Sequence, residues 1–208
     1  MKKIQQYFPE LTDKQLGLFA AFMPLFTEWN EQINMVSRKD INNLEVRHVL
    51  HSLAIAKFMP FNQGATIMDL GTGGGFPGIP LAIFFPETEF ILIDSRGKKI
   101  MVVKEIVKAL GLTNVKAIHG RAEETKVKCD FVVTRAVAKM DKLFNWTRRH
   151  LKNKHTHIYP NGIIALKGGD IKAEMKLVAG KPYWEMVEIR DYFDESEFED
   201  KKVVYLQM

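Results

Sequence analysis

Five of the eight residues from 71 to 78 are glycine, in the run Gly71-Thr72-Gly73-Gly74-Gly75-Phe76-Pro77-Gly78, which follows directly on the apolar stretch Ile67-Met68-Asp69-Leu70. A strand that passes through such a turn into a helix is where an open α/β sheet holds its ligand. Glycine admits positive φ there and lets the backbone approach a bound group closely. The rhythm downstream agrees. Short β-branched runs at 65–70, 89–94, 115–119, 130–134 and 162–167 alternate with helix-length segments at 78–85, 97–110 and 140–152, with Gly111 placed to close the second helix. This is the pattern of parallel strands joined by crossover helices. Two last runs, 184–190 and 202–207, are separated by an acidic loop and would pair antiparallel at one sheet edge. The expected fold is α/β: a doubly wound, mostly parallel, seven-stranded Rossmann-like sheet over residues 63–208.

Residues 1–62 read differently. Leu16, Phe19, Ala20, Met23, Phe26, Trp29 and Ile33 recur at steps of three and four behind Thr12. That spacing predicts an amphipathic helix with Thr12 as N-cap, which Pro24 should kink or split. A second helix is expected over 42–59, opened by an Asn42/Glu45 capping box, with Leu50, Leu53 and Ala54 inward and Arg47, His48 and His51 on its polar side. The two helices would form an N-terminal extension packed on the core, the whole making one folded unit.

With 208 residues and 46% hydrophobic content, the chain can close a core without metal or disulfide support. Its longest apolar stretches, 79–85 and 100–103, fall far short of the roughly 20 residues of a membrane span. A glutamine pair, Tyr7 and Pro9 interrupt what would be the apolar part of a signal peptide, so a cytoplasmic protein is expected. Cys129 is the single cysteine. It excludes an internal disulfide or a cysteine-cluster zinc site and reads as a small buried residue. The formal charge is +5, yet residues 191–200 (DYFDESEFED) hold six acids and no base, so the remainder carries +11. A surplus of that size suits an anionic partner such as nucleic acid, although a merely soluble basic protein would show it too.

Two cofactors compete for the glycine turn. Gly73, Gly75 and Gly78 spell the dinucleotide fingerprint G-x-G-x-x-G, with Pro77 between its last two glycines. S-adenosylmethionine explains more. Asp69 would set negative charge beside a ligand carrying ammonium and sulfonium cations, where a pyrophosphate would be repelled. Asp94, at the end of the next strand, is placed to accept both ribose hydroxyls of either cofactor. The plainer reading of Asp69 and Asp94 is capping at strand-to-helix turns.

The run Asp69-Leu70-Gly71 through Phe76-Pro77-Gly78-Ile79-Pro80-Leu81-Ala82 resembles the signature of the RsmG (GidB) family of bacterial 16S rRNA guanine-N7 methyltransferases. Further matches fall in the family's order over nearly the whole chain: Trp29-Asn30 and Asn34, Val46-Arg47-His48 with Ser52-Leu53, Asp94-Ser95 with Lys98-Lys99, Arg121-Ala122-Glu123-Glu124, Arg135-Ala136 and Ala165-Leu166-Lys167-Gly168. The resemblance implies a class I S-adenosylmethionine-dependent methyltransferase with small-subunit ribosomal RNA, or the assembled particle, as substrate. It places Gly71, Phe76, Ala122, Glu123 and Arg135 against the cofactor, beside Asp69, Gly73 and Asp94. The chain departs from the family at His51, where an aspartate is usual, and at Met35-Val36-Ser37, where Leu-Thr is usual.

Guanine N7 carries a free lone pair, so its methylation needs positioning and no general base. The chain lacks the Asn-Pro-Pro-Tyr type of motif used for exocyclic amines: its fourth strand runs Phe131-Val132-Val133-Thr134-Arg135-Ala136. Cys129 lies ahead of that strand, away from where a pyrimidine-C5 nucleophile would stand. Arg121, Arg135 and Lys167 project from the carboxyl ends of strands and are substrate-side candidates for phosphate or base contacts; the alternative is ion pairing with Glu123, Glu124 or Asp69. The densest basic run, 148–157, supplies Arg148, Arg149 and Lys152 as candidate RNA contacts, joined by Arg47 and His48, against the reading of a solvated face. The pair His155-x-His157 has no third ligand at suitable spacing, so no metal is expected, and nothing in the pattern demands more than a monomer. A nicotinamide-dependent oxidoreductase and a non-catalytic RNA-binding module on the same fold stay open at this point.

Overall fold

A computed structural model of the protein describes all 208 residues, the side chain of Arg38 excepted. Seven strands, β1 (Thr66–Leu70), β2 (Glu89–Asp94), β3 (Val115–His119), β4 (Phe131–Arg135), β5 (Gly162–Gly168), β6 (Trp184–Glu188) and β7 (Lys201–Gln207), form one sheet in the order β3-β2-β1-β4-β5-β7-β6. The first five run parallel, and β7 pairs antiparallel with both β5 and β6. The order reverses between β1 and β4, which opens a crevice at their carboxyl ends.

The crossover helices are α5 (Gly78–Phe84), α6 (Gly97–Ala109) and α7 (Met140–Thr147). Gly111, at φ 64, ends α6 with a paired closure: its amide donates to Lys108 O and that of Leu112 to Val107 O. The third helix stops at Thr147, short of the expected 152. Leu151 leaves the helix to bridge Cys129 beside β4, and the Cys129 and Lys152 amides donate to the His150 and Cys129 carbonyls. Cys129 is fully buried, and burial pushes its thiol up to about 12, so it is inert.

At the amino terminus, α1 (Lys2–Tyr7) precedes α2 (Asp13–Gln32). Thr12 caps α2 through a capping box with Gln15, and the helix continues through Pro24 without splitting. The second expected helix is the larger correction. Residues 38–58 divide into α3 (Arg38–Ile41), a π-helical segment (Glu45–Leu50) and α4 (His51–Phe58). Ser37 caps α3 at its start, and Asn42 is the C-cap residue of that same helix rather than the N-cap of a following one. Glu45 turns to α1 instead: its carboxylate accepts from the Lys3 and Ile4 amides and pairs with the Met1 ammonium. A free carboxylate prefers the orphan amides and positive dipole end of a helix start. His48 and His51, expected on a polar face, are buried.

One apolar cluster joins Ile4, Phe8, Phe22 and Leu53 to Ile67, Ile79 and Leu92, so the N-terminal helices and one face of the sheet share a core. The other face packs Met68, Ile93 and Val132 on Met140 and Leu143. The acidic loop belongs to the first face. Phe193 and Phe198 are buried, Tyr7 Oη donates to Glu195 at 3.0 Å, Lys3 pairs with Glu195 at 2.6 Å, and Asn43 donates to Glu197 at 2.6 Å. Among the described residues no helix is long and apolar enough to cross a membrane.

Removing the Glu45 carboxylate leaves the first α1 amides unpaired, at a cost of about 1–2 kcal/mol. Glu45→Ala, with the native amino terminus, is expected to lower Tm by roughly 2 to 8 °C for a chain of this size, and Asn42→Ala by less than about 1 °C. Thermal unfolding of both variants distinguishes this arrangement from a capping box at Asn42.

Candidate active site

A cavity of about 620 Å3 opens at the carboxyl ends of β1 and β2, a size that suits a cofactor. The glycine turn forms its floor. The Gly71 and Thr72 amides donate to Ile93 O at 2.8 and 3.0 Å, which folds the turn across the end of β2. Gly75 adopts φ 95, and a Cβ there would lie 2.4 Å from Ile79 Cδ1. At Gly78 a Cβ would stand 2.7 Å from Asp69 Oδ2 and 2.8 Å from Leu92 Cγ, so α5 starts where a side chain has no room.

The two acids divide their roles. Asp69 was expected beside the ligand's charge, but the structure buries it completely behind the turn and outside the cavity lining. Its Oδ2 accepts the Gly78 amide at 2.8 Å, and its Oδ1 has no partner among the described residues. Burial pushes this carboxyl up to about 7, against the pull of the Gly78 amide and Arg135. Asp94 does line the cavity. Its Oδ2 accepts the Gly73 amide at 2.9 Å and its Oδ1 the Arg96 amide at 2.8 Å. Asp69 therefore does bind the first amide of α5, whereas Asp94 bonds two loop amides and caps no helix. Each Asp94 oxygen keeps a lone pair for a ligand.

Arg135 ends β4 and is held from three sides. Its guanidinium lies 5.0 Å from the Phe76 ring centroid, Nη2 is 2.8 Å from His48 Nδ1, and Nη1 donates to Arg47 O at 3.4 Å. No carboxylate pairs with it among the described residues, so the expected alternative, an ion pair with Asp69, is absent. Burial lowers its pKa to about 10, which leaves it charged at neutral pH. Burial, and then the Arg135 charge, lower His48 to about 3, so its imidazole is neutral and accepts at Nδ1. Phe76 reaches this place because it wedges against α2, with ring centroids 5.0 Å from Phe26 and 5.7 Å from Phe22. The next residue, Ala136, takes φ 54, a left-handed conformation that costs a residue with a Cβ about 1 kcal/mol or more.

Arg121, Ala122 and Glu123 follow β3 and line the cleft with Gly71, Gly73 and Phe76. Lys167 does not face it. Its ammonium pairs with Glu174 at 2.8 Å and donates to Ala138 O, so its partner is an acid of α8 (Ile171–Met175), which the sequence pattern had not offered. The basic run is not one patch. Lys152 pairs with Asp130 at 2.9 Å where β1 and β4 begin, about a strand length (roughly 16 Å) from the cleft. Arg148, Lys152 and His155 border one groove, separate from the cleft, with Tyr183 and Gln207, whereas His150 is buried and Arg149 reaches back to Ala122 O at 3.4 Å. The sequence reading gave no site role to several lining residues, among them Met35, Arg96, Val137 and Trp146. Of these, only Arg96 carried a signal, its position just past Asp94.

The residues fit S-adenosylmethionine better than a dinucleotide. The Gly73 amide that would face a diphosphate is already given to Asp94, and a carboxylate within the turn repels phosphate while tolerating a cation and ribose hydroxyls. Comparison with solved structures agrees on the fold. The chain superposes on a precorrin-6y C5,15-methyltransferase from Geobacter metallireducens with TM-score 0.57 (10% identity, 85% of this chain and 92% of that one). On M. jannaschii TYW2 in complex with AdoMet the TM-score is 0.55 (18% identity, 84% and 78%). Sequence comparison goes further. Proteins named ribosomal RNA small subunit methyltransferase G are 50% identical to it in Bacteroides fragilis, over 99% of both chains, and in Flavobacterium johnsoniae, over 100% of this chain and 98% of that one. The family model described as rRNA small subunit methyltransferase G matches residues 15–193. With full-length identity at that level and the glycine turn, Asp94 and Arg135 set around one cleft, the chain belongs to the rRNA small subunit methyltransferase G family.

Proposed function

We propose that this protein transfers the methyl group of S-adenosylmethionine to N7 of one guanine in bacterial small-subunit ribosomal RNA, acting in the cytoplasm as a monomer. The observation that carries the cofactor side of this reading is Asp94, presented in the cleft by the Gly73 and Arg96 amides at the carboxyl end of β2. When bound, the cofactor supplies an electrophilic methyl on a sulfonium. Asp94 would hold the ribose hydroxyls, the turn at 71–75 would receive the amino-acid portion, and Arg121, Ala122 and Glu123 would border the adenosine side. The acceptor, guanine N7, brings a free lone pair to the methyl. Positive charge moves from sulfur to the purine and no proton leaves, so the task of the chain is orientation. Arg121, which lines the cleft, and Arg149, held at its edge through Ala122 O, engage the RNA backbone, while the mutual hydrogen bond of Arg135 and His48 keeps both in place at the cleft wall.

Two measurements test this. Small-subunit RNA lacking the modification, and small subunits made from it, should each be offered with labelled S-adenosylmethionine and the product mapped by N7-directed strand scission. One N7-methylated guanine is expected; transfer to another atom, or to neither substrate despite cofactor binding, would sink the reading. Asp94→Asn should weaken S-adenosylhomocysteine binding at least about tenfold by calorimetry, because the amide replaces one of two acceptors with a donor.

Asp69 adds a pH dependence. Its folded pKa of about 7 lies above the ordinary 3.8, so folding favours the protonated form. That contribution is fully present below about pH 4 and is lost as pH rises through 7. Asp69→Asn keeps an acceptor for the Gly78 amide and cannot ionise. Its Tm relative to the wild type should therefore climb between about pH 4 and 7 and level off above; a constant difference across that range would contradict the assignment.

A further inference from the structure

A second cavity, about 670 Å3, adjoins the cofactor cleft, and the two share two lining residues, Arg135 and the strained Ala136. The arrangement matters because an acceptor atom must come within about 3–3.5 Å of the methyl it receives, so the acceptor base has to occupy space contiguous with the cofactor. A base stacked in RNA cannot enter such a wall and must be turned out of its stack. The second cavity is the space on the other side of that wall, at the carboxyl ends of β4 and β5.

Its lining contains two buried polar atoms with no partner among the described residues, Arg47 Nε and His51 Nε2. Arg47 is 34% exposed as a side chain, but its Nε, like His51 Nε2, is itself shielded, and atoms so shielded ordinarily have a partner. His51 is 8% exposed, and its ring stacks obliquely on Phe198, 5.6 Å between centroids. Burial holds it neutral, with Arg135, Lys201 and His48 pressing the same way and the Arg47 carbonyl opposing. Arg47 is fixed at its far end, where Nη1 bonds Asp40 at 2.9 Å, so its Nε–H has a set direction. Lys201 lines the same cavity and forms no ion pair among the described residues.

We propose that the second cavity is the acceptor-base pocket, in which the Arg47 Nε–H donates to guanine O6, selecting guanine over adenine, and His51 Nε2 bonds the same purine. The inference rests on the methyl-transfer reading above. Arginine has donors only, so it accepts no hydrogen bond from the 6-amino group of an adenine-type base, whereas O6 receives one. O6 and N7 share one edge of guanine. A donor at O6 therefore also fixes where N7 points, towards the wall shared with the cofactor cleft, while N7 itself stays bare.

The test uses the full-length protein and small-subunit RNA carrying either guanine or 2,6-diaminopurine at the modified position, two bases that differ in their 6-substituent. Wild type should prefer guanine by at least about tenfold in kcat/KM. Arg47→Met should compress that preference to within about threefold, with S-adenosylhomocysteine affinity unchanged within about twofold. Arg47→Lys, which keeps the charge and loses the Nε–H, should also lose the preference and serves where the methionine variant fails to fold. His51→Ala should raise KM for RNA without altering cofactor affinity. An unchanged guanine preference in both Arg47 variants overturns the pocket assignment. A wild type that binds S-adenosylhomocysteine and methylates neither RNA overturns the function itself, and the two failures are thereby distinct.

Discussion

Asp69 sits in the middle of the sheet, level with Leu92 on β2 and Val133 on β4, and the Gly78 amide is its hydrogen-bond partner. A carboxyl so placed has no water to fall back on, so the alternative to this bond is an unpaired polar group in the core. The bond pins the first turn of α5 to the end of β1. Gly78 permits it, because any side chain would collide with the carboxylate and with Leu92. With α5 fixed, the residues between are fixed as well. The turn leans on Ile93, Gly73 meets Asp94, and Phe76 is driven outward into the aromatic cluster of α2.

From Phe76 the constraint passes to the substrate side. Its ring supports the Arg135 guanidinium, which bonds neutral His48 on the π-helical segment, so a residue of β4 is held jointly by the turn after β1 and by the N-terminal helices. A cation buried without a carboxylate partner is tolerable where an aromatic face and an imidazole lone pair replace water. The helices at 1–62 accordingly complete the site wall as well as covering the sheet. The π-helical turn is the kind of local irregularity that recurs at functional sites, and here it carries Arg47 and His48.

Much of this was legible in the sequence because it depends on local pattern. The alternation of β-branched runs with helical segments located all seven strands to within about two residues, since parallel strands buried on both faces must be apolar throughout. The glycine turn and Asp94 announced the cleft for the same reason: each is required by backbone geometry at one point in the chain. What was not legible depends on partners far away in sequence. Asn42 and Glu45 have capping-box spacing, yet Glu45 found better donors at the amino terminus, and no local rule reports that competition. The partners of Lys167 and Lys152 went unread because Glu174 and Asp130 meet them only after folding. Asp69 looked like a ligand contact because its depth behind the turn is a tertiary fact.

The acidic segment shows the same limit with the opposite outcome. Six acids in ten residues read only as an acidic loop between the last two strands, and the charge count treats them as a block set against a basic body. In the fold, Glu195 is consumed by Lys3 and Tyr7, Glu197 by Asn43, and Asp200 by Lys202 and the Gly169 amide, while Phe193 and Phe198 enter the core. Glu195 and Asp200, ion-paired in place, oppose an approaching polyanion less than free acids would. The strap they form reaches from α1 to the start of β7, and Phe198 lies against His51. Its acids thus tie the amino terminus to the sheet edge and brace the segment that carries Arg47, His48 and His51, which is how a negative stretch serves a site meant for RNA.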